Sequence, residues 1–152
     1  MTTPLRNTSG TTRDHTHCDE NTIADLTPVL CNPTLNRAEF GRVGEIFAAA
    51  TLRASGLTVI DCNYHTRYGE IDLVCRESDT IVFVEVKARR TTRFGQPAEA
   101  VTFRKQQRVH RAAYEWLTHY GHKYGAHGTR FDVVSLLVNG THITSSHLTA
   151  AF

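Results

Sequence analysis

The sequence predicts an α/β domain, one mixed β-sheet with helices packed against it, in the order α-β-β-β-α-β-β. Three observations carry that prediction. Two stretches, one beginning after Asn36 and one after Thr102, repeat apolar residues at helical spacing. Between them stand three β-branched runs, close enough in sequence for the hairpin connections of an antiparallel meander. After the second helical stretch comes a nearly uncharged run closed by Asn139-Gly140, a strong hairpin turn signal.

Each element has its own warrant. Asn36 followed by Glu39 has the form of a capped helix start, and Phe40, Val43, Phe47 and Ala50 continue it until Gly56 stops it. Leu57–Cys62 alternates and is rich in branched residues, which predicts a strand. Glu70–Arg76 predicts a second strand, a turn follows around Glu77–Asp79, and Thr80–Ala88 predicts a third. Arg89–Pro97 is polar and basic, so a loop is expected there. Thr102 can cap a helix to about Tyr120, with Val109, Ala112, Ala113, Trp116 and Leu117 on one face and Arg104, Lys105, Arg108 and Arg111 on the other. Phe131–Val138 is expected as a strand buried on both faces, and Thr141–Thr144 as its short return strand.

Residues 1–36 differ from the rest. They are rich in Thr, Asn and Asp, contain three of the four prolines, and carry two Arg against four acids. Such a segment buries too little apolar surface to offset its ordering entropy, so an acidic disordered tail is expected, with the domain spanning 37–152. A second reading of the same residues is that Ile23–Leu30 docks on the domain. The overall net charge of +2 divides into −2 for the tail and +4 for the domain. Eight basic residues fall between Lys87 and Arg111 against Glu99 alone, so the domain is basic in one place.

Composition excludes several classes. With 152 residues, 40% hydrophobic and 21% charged, the chain suits one packed domain and holds no apolar run of membrane length. Cys18, Cys31, Cys62 and Cys75 are dispersed, with no C-x-x-C pair for zinc or dithiol chemistry. Without a secretory layout at the N-terminus, they fit a reducing cytoplasm. His15, His17 and Cys18 in a polar tail are expected to be solvated bystanders rather than metal ligands.

The strands break their own pattern at three charges. In Thr80–Lys87, Glu85 and Lys87 are two apart and share a face, while Val84 and Val86 take the other. Asp72 stands mid-strand, where aspartate is disfavoured. A hairpin around Asp79 brings Asp72 near Glu85, and two carboxylates so placed repel unless a cation lies between them. That suits magnesium or manganese, which take carboxylate and phosphate oxygens. Lys87 would orient a nucleophile or stabilise phosphate charge, since its ordinary pKa of about 10.4 is too high for an easy general base. Glu45, beside Gly41 and Gly44 on the first helix, is a third acid that close helix packing could bring to the same place. The plainer reading is a solvated Glu-x-Lys strand with Asp72 paired to an arginine.

Gly41-Arg42-x-Gly44-Glu45, Arg67-x-Gly69-Glu70-Ile71-Asp72-Leu73, Phe83-Val84-Glu85-Val86-Lys87-x-Arg89 and Arg130-Phe131-Asp132-Val133-Val134 together resemble the YraN-like family, as does the closing Ala151-Phe152. These are small bacterial proteins related to archaeal Holliday junction resolvases. The resemblance covers about residues 37–152 and implies a restriction-endonuclease-like fold. It also implies a PD-(D/E)xK nuclease site with Asp72, Glu85 and Lys87 as signature residues and Glu45 as the helix acid that assists the metal. Ile71 stands where the name-giving proline would be. Lys105 also matches a family position, either as a phosphate contact or as one more solvated lysine.

Three functions follow as expectations. The first is a nuclease using Mg2+ or Mn2+, with branched or other non-B-form DNA as substrate and Arg89, Arg90, Arg93, Arg104, Lys105 and Arg108 on the backbone. The second is a nucleic-acid-binding module that keeps the fold without the chemistry. The third is an interaction protein, for which only the acidic tail speaks; that tail could instead cover the basic face. Resolvase-like kin often pair to cut two strands, so a homodimer is a further expectation, although no dimer surface is legible.

Overall fold

The computed structural model describes residues 21–91 and 101–152. Its elements run α1 (Ile23–Leu30), α2 (Arg37–Ala54), β1 (Thr58–His65), β2 (Glu70–Glu77), β3 (Thr80–Arg90), α3 (Phe103–Tyr120), a 3-10 turn (Gly121–Lys123), β4 (Gly128–Asn139) and β5 (His142–Leu148). The five strands form one sheet in sequential order. β1, β2 and β3 are an antiparallel meander, as expected. β4 lies parallel to β3, which requires the chain to cross over through α3, and β5 returns antiparallel. The expected mixed sheet flanked by helices is present, and its order is compatible with a nuclease-like fold.

The sheet is covered on both faces. Leu73, Cys75, Val82, Val84, Val134 and Leu136 pack with α1 and α2. Ile60, Val74, Ile81 and Phe83 pack with Ala112, Ala113 and Trp116 of α3. Glycine decides one of these contacts: a Cβ on Gly44 would stand 2.7 Å from the Ala88 Cβ, so α2 approaches β3 as closely as backbones allow.

Helix ends follow local chemistry. The Asn36 side chain accepts from the Glu39 N–H and the Glu39 carboxylate accepts from the Asn36 N–H, a complete capping box. At the other end Gly56 (φ +97) allows Leu57 N–H to reach the Leu52 carbonyl and Gly56 N–H the Arg53 carbonyl, a Schellman motif. Thr102 caps α3 through the Lys105 N–H. The Asn139–His142 pair closes a two-residue turn with Gly140 at φ +60.

Two expectations need correction. Disorder expected through residue 36 does not hold for Ile23–Leu30, which forms α1 with Leu26 and Leu30 buried in the core, as the second reading of that segment expected. The segment is short and mostly apolar, interrupted by Pro28 and flanked by polar residues, so its two buried leucines at i and i+4 give only one turn of helical period. Residues 1–20 lie outside the described residues. The basic loop expected from Arg89 begins later: Arg89 and Arg90 belong to β3, paired with Leu137 and Val138. β1 and β5 are also longer than expected, and a bulge between Val59 and Asp61 shifts the β1 register.

These contacts yield a first prediction. Deleting residues 1–36 removes Leu26 and Leu30 and should cost about 3 kcal/mol or more in urea denaturation, the scale of emptying two buried leucine sites. A chain starting at residue 21 retains both.

Candidate active site

The site begins where β2 and β3 part. Their pairing runs from Glu77–Thr80 to Leu73–Val84, and the next residues in register, Asp72 and Glu85, face each other across the opening. There the Asp72 carboxylate accepts the Val86 N–H at 2.8 Å, taking up a donor that the ladder leaves behind. Both acids are buried, at 6% and 4% exposure. That is rare for carboxylates without a full set of partners.

Glu85 is not fully satisfied by the protein. Glu85 Oε1 is ion-paired with Lys105 Nζ from the first turn of α3. Glu85 Oε2 is buried and lacks a hydrogen-bond partner, a costly condition for a carboxylate oxygen. Burial first, and the neighbouring Glu85 charge second, push the Asp72 carboxyl up to about 8. Burial and mutual repulsion therefore both disfavour the doubly ionised pair.

Glu45 approaches from α2. It is half-buried, hydrogen-bonded to the Asn63 side chain, and lies within the fields of Glu70 and Glu85. Burial raises its pKa above the ordinary value, and the Asn63 bond works against that. Asn63 occupies the left-handed region (φ 51), a conformation that asparagine tolerates better than most residues. Nothing in the spacing of β1 singled Asn63 out. Arg37, Ala38, Gly41, Arg42, Glu45 and Asn63 line one open hollow, and His65, Thr66, Gly69, Glu70, Lys105, Arg108 and Val109 line another.

The expected metal set of Asp72, Glu85 and Glu45 is therefore drawn toward one region. Among the described residues, no three His, Cys, Asp or Glu side chains converge tightly enough to hold a metal ion by themselves. The donor set still fits a hard divalent cation that keeps most of its waters: two buried oxygen donors, one of them orphaned.

The expected nucleic-acid residues divide three ways. Arg104, Lys105 and Arg108 are exposed on α3, with Lys105 turned to Glu85. Arg111 continues this face and lies 5.8 Å from the centre of the Tyr68 ring, which Arg67 also covers at 4.8 Å. By strand alternation Arg89 follows Glu85 and Lys87 along the α3 side of β3. Arg90 points to the opposite side, where its guanidinium donates to the Asn32, Pro33 and Leu35 carbonyls and stacks 4.6 Å over Phe40. It ties the α1–α2 connection to the sheet. Arg93 lies outside the described residues, as do His15, His17 and Cys18.

Two further buried acids serve the fold. Asp61 accepts from the Trp116 indole N–H at 2.8 Å and from the Cys62 N–H. Asp132, wholly buried, takes a two-pronged bond from Arg130, one from the Ala150 N–H, and a contact from His147 Nε2 at 2.8 Å. A polar atom in an uncharged run, as Asp132 is in β4, was the available signal. Burial also pushes the Cys75 thiol up to about 12, which leaves it unreactive.

Comparison with known proteins gives one consistent result. The model of uncharacterised protein family UPF0102 matches residues 44–136. A UPF0102 protein of Syntrophomonas wolfei is 48% identical over 118 residues, covering 78% of this chain and all of that protein. UPF0102 proteins of Rhodococcus jostii and Bifidobacterium longum are 44% and 40% identical, covering 74% and 78% of this chain and 94% and 96% of theirs. Asp72, Glu85, Lys87 and Lys105 all lie within the family match. Among the described residues no helix is long and apolar enough to cross a membrane.

Proposed function

The chain belongs to the uncharacterised protein family UPF0102, and from that footing we propose that it is a metal-dependent nuclease acting on nucleic-acid phosphodiesters. The observation that carries this reading is the buried Asp72–Glu85 pair at the parting of β2 and β3, with Glu85 Oε2 unsatisfied. Two facing buried carboxylates repel when both are ionised, and a divalent cation between them offsets that cost. Asp72 and Glu85 would hold Mg2+ or Mn2+, with Glu45 assisting from α2. Such an ion supplies an acidified water and charge stabilisation at phosphorus.

The chain's own residues do the rest. Lys87, two residues along β3 from Glu85, orients the nucleophile or meets developing charge on the phosphate. Arg89, Arg104, Lys105 and Arg108 hold backbone phosphates, which positions a strand without reading its sequence. Resolvase kinship favours branched or other non-B-form DNA, and a homodimer would address two strands at once.

One observation favours a second reading. The Lys105 ammonium already sits on Glu85, so the site can be partly neutralised without a metal, as in a nucleic-acid-binding module that has lost the chemistry. Linear, supercoiled and four-way-junction DNA, each incubated with Mg2+, Mn2+ or EDTA, separate the two. The nuclease reading expects cutting in either metal, none in EDTA, and a loss of roughly a hundredfold or more in Asp72→Asn and Lys87→Ala. Salt-sensitive binding without cutting in any metal establishes the second reading instead.

A further inference from the structure

Resting on the nuclease reading above, we propose that Lys105 is the resident counter-ion of the site. Its ammonium holds the cation seat at Glu85, a divalent ion enters only by displacing it, and the freed lysine then serves as a phosphate contact. The pairing is asymmetric in a telling way. Lys105 reaches Glu85 Oε1, while Oε2 of the same buried carboxylate has no partner. A single ammonium therefore satisfies one oxygen and leaves a second acid, Asp72, opposite it. The ammonium on Oε1 leaves Oε2 and the facing Asp72 carboxyl unbridged, and a divalent ion can take oxygens from both acids where a single ammonium does not.

The lysine has somewhere to go. The Glu85 side chain is 5% exposed, but that of Lys105 is 46% exposed. Its stem springs from the first turn of α3, beside the open hollow formed with His65, Thr66, Gly69, Glu70 and Arg108. A flexible four-carbon stem can swing its head from the carboxylate into that hollow without moving the helix. There it joins Arg108 on the basic face.

Calorimetric titration of Mn2+ into the full chain, without nucleic acid, tests this. Lys105→Ala should bind Mn2+ about tenfold or more tighter than wild type, because the competing charge is gone. Lys105→Arg should stay near wild type, and Asp72→Asn should lose binding. In Mn2+, Lys105→Ala should also bind DNA with a salt slope shallower by about one. Equal or weaker Mn2+ affinity in Lys105→Ala, or Lys105→Arg behaving like alanine, overturns the counter-ion role while leaving the metal reading intact. Absence of Mn2+ binding in wild type and Lys105→Ala alike overturns the metal reading and this inference with it. Far-ultraviolet dichroism of each variant confirms a folded chain, and Lys105→Gln, which keeps most of the stem, replaces alanine if that variant is unfolded.

Discussion

Asp132→Ala should destabilise the protein by about 3 kcal/mol at pH 7, read from the midpoint of urea denaturation. The substitution removes the acceptor for the Arg130 fork, the Ala150 N–H and His147 together, and leaves these groups without the charge they surround. It also loosens the chain end, where the Ala151 N–H bonds to the Phe131 carbonyl and the Phe152 ring lies against Phe131 and His110. The pH dependence identifies the cause. Burial alone would push the Asp132 carboxyl up, but its bonds to Arg130, Ala150 and His147 hold it below the ordinary value. A depressed folded pKa contributes stability above the unfolded pKa of about 3.9, and that stability is lost as pH falls through the folded value. The gap between wild type and Asp132→Ala should therefore be constant above about pH 5 and shrink below pH 4. A gap independent of pH down to acid denaturation would show that the carboxylate's charge is not what stabilises the fold.

Asp72→Asn should do the opposite. In metal-free buffer at pH 8 it should be several kcal/mol more stable than wild type. Asp72 is raised to about 8 by burial and by Glu85, so the folded protein prefers the protonated acid. For a raised pKa the contribution is fully present below the unfolded value and is lost as pH rises through the folded one. Wild type should thus weaken between about pH 4 and 8, and the neutral amide, which can still accept the Val86 N–H, should not. Saturating Mn2+ at about one hundred times its dissociation constant should restore about 2.7 kcal/mol to wild type and nothing to the variant. Thermal unfolding with and without Mn2+ reads both effects. A variant less stable than wild type at pH 8 without metal would mean that the ionised Asp72 is well accommodated, contrary to its burial beside Glu85.

The contrast between these two acids shows how far residues alone carry the reading. Asp72 and Glu85 were legible because charge in a β-branched strand is conspicuous, and because one hairpin turn brings both to the same height. The capping box at Asn36–Glu39 and the Asn139-Gly140 turn were legible for the same reason: their chemistry is complete within a few residues. The roles of Asp132 and Asp61 were not, since beyond the nearby Arg130 and Cys62 their partners lie far away: 15 and 18 positions for His147 and Ala150, 55 for Trp116. Ile23–Leu30 was legible only as a stretch that could dock, because one short apolar run becomes a buried helix only once α2 and the sheet supply the surface that covers Leu26 and Leu30. Arg90 looked like part of a basic DNA-facing loop, yet its place in the strand sends it to the α1–α2 connection.

What the sequence by itself determined is the alternation of elements, the helix caps, and the pair of acids with a lysine two residues beyond the second. Those depend on periodicity and short-range hydrogen bonding, which operate over a few residues. The tertiary structure alone decided that Lys105 sits on Glu85, that Asn63 holds Glu45, and that the second Glu85 oxygen is unpartnered. The physical reason is burial. Desolvation makes two ordinary carboxylates costly to ionise together, and which side chain reaches them depends on how α2, α3 and the β1–β2 hairpin close around the opening.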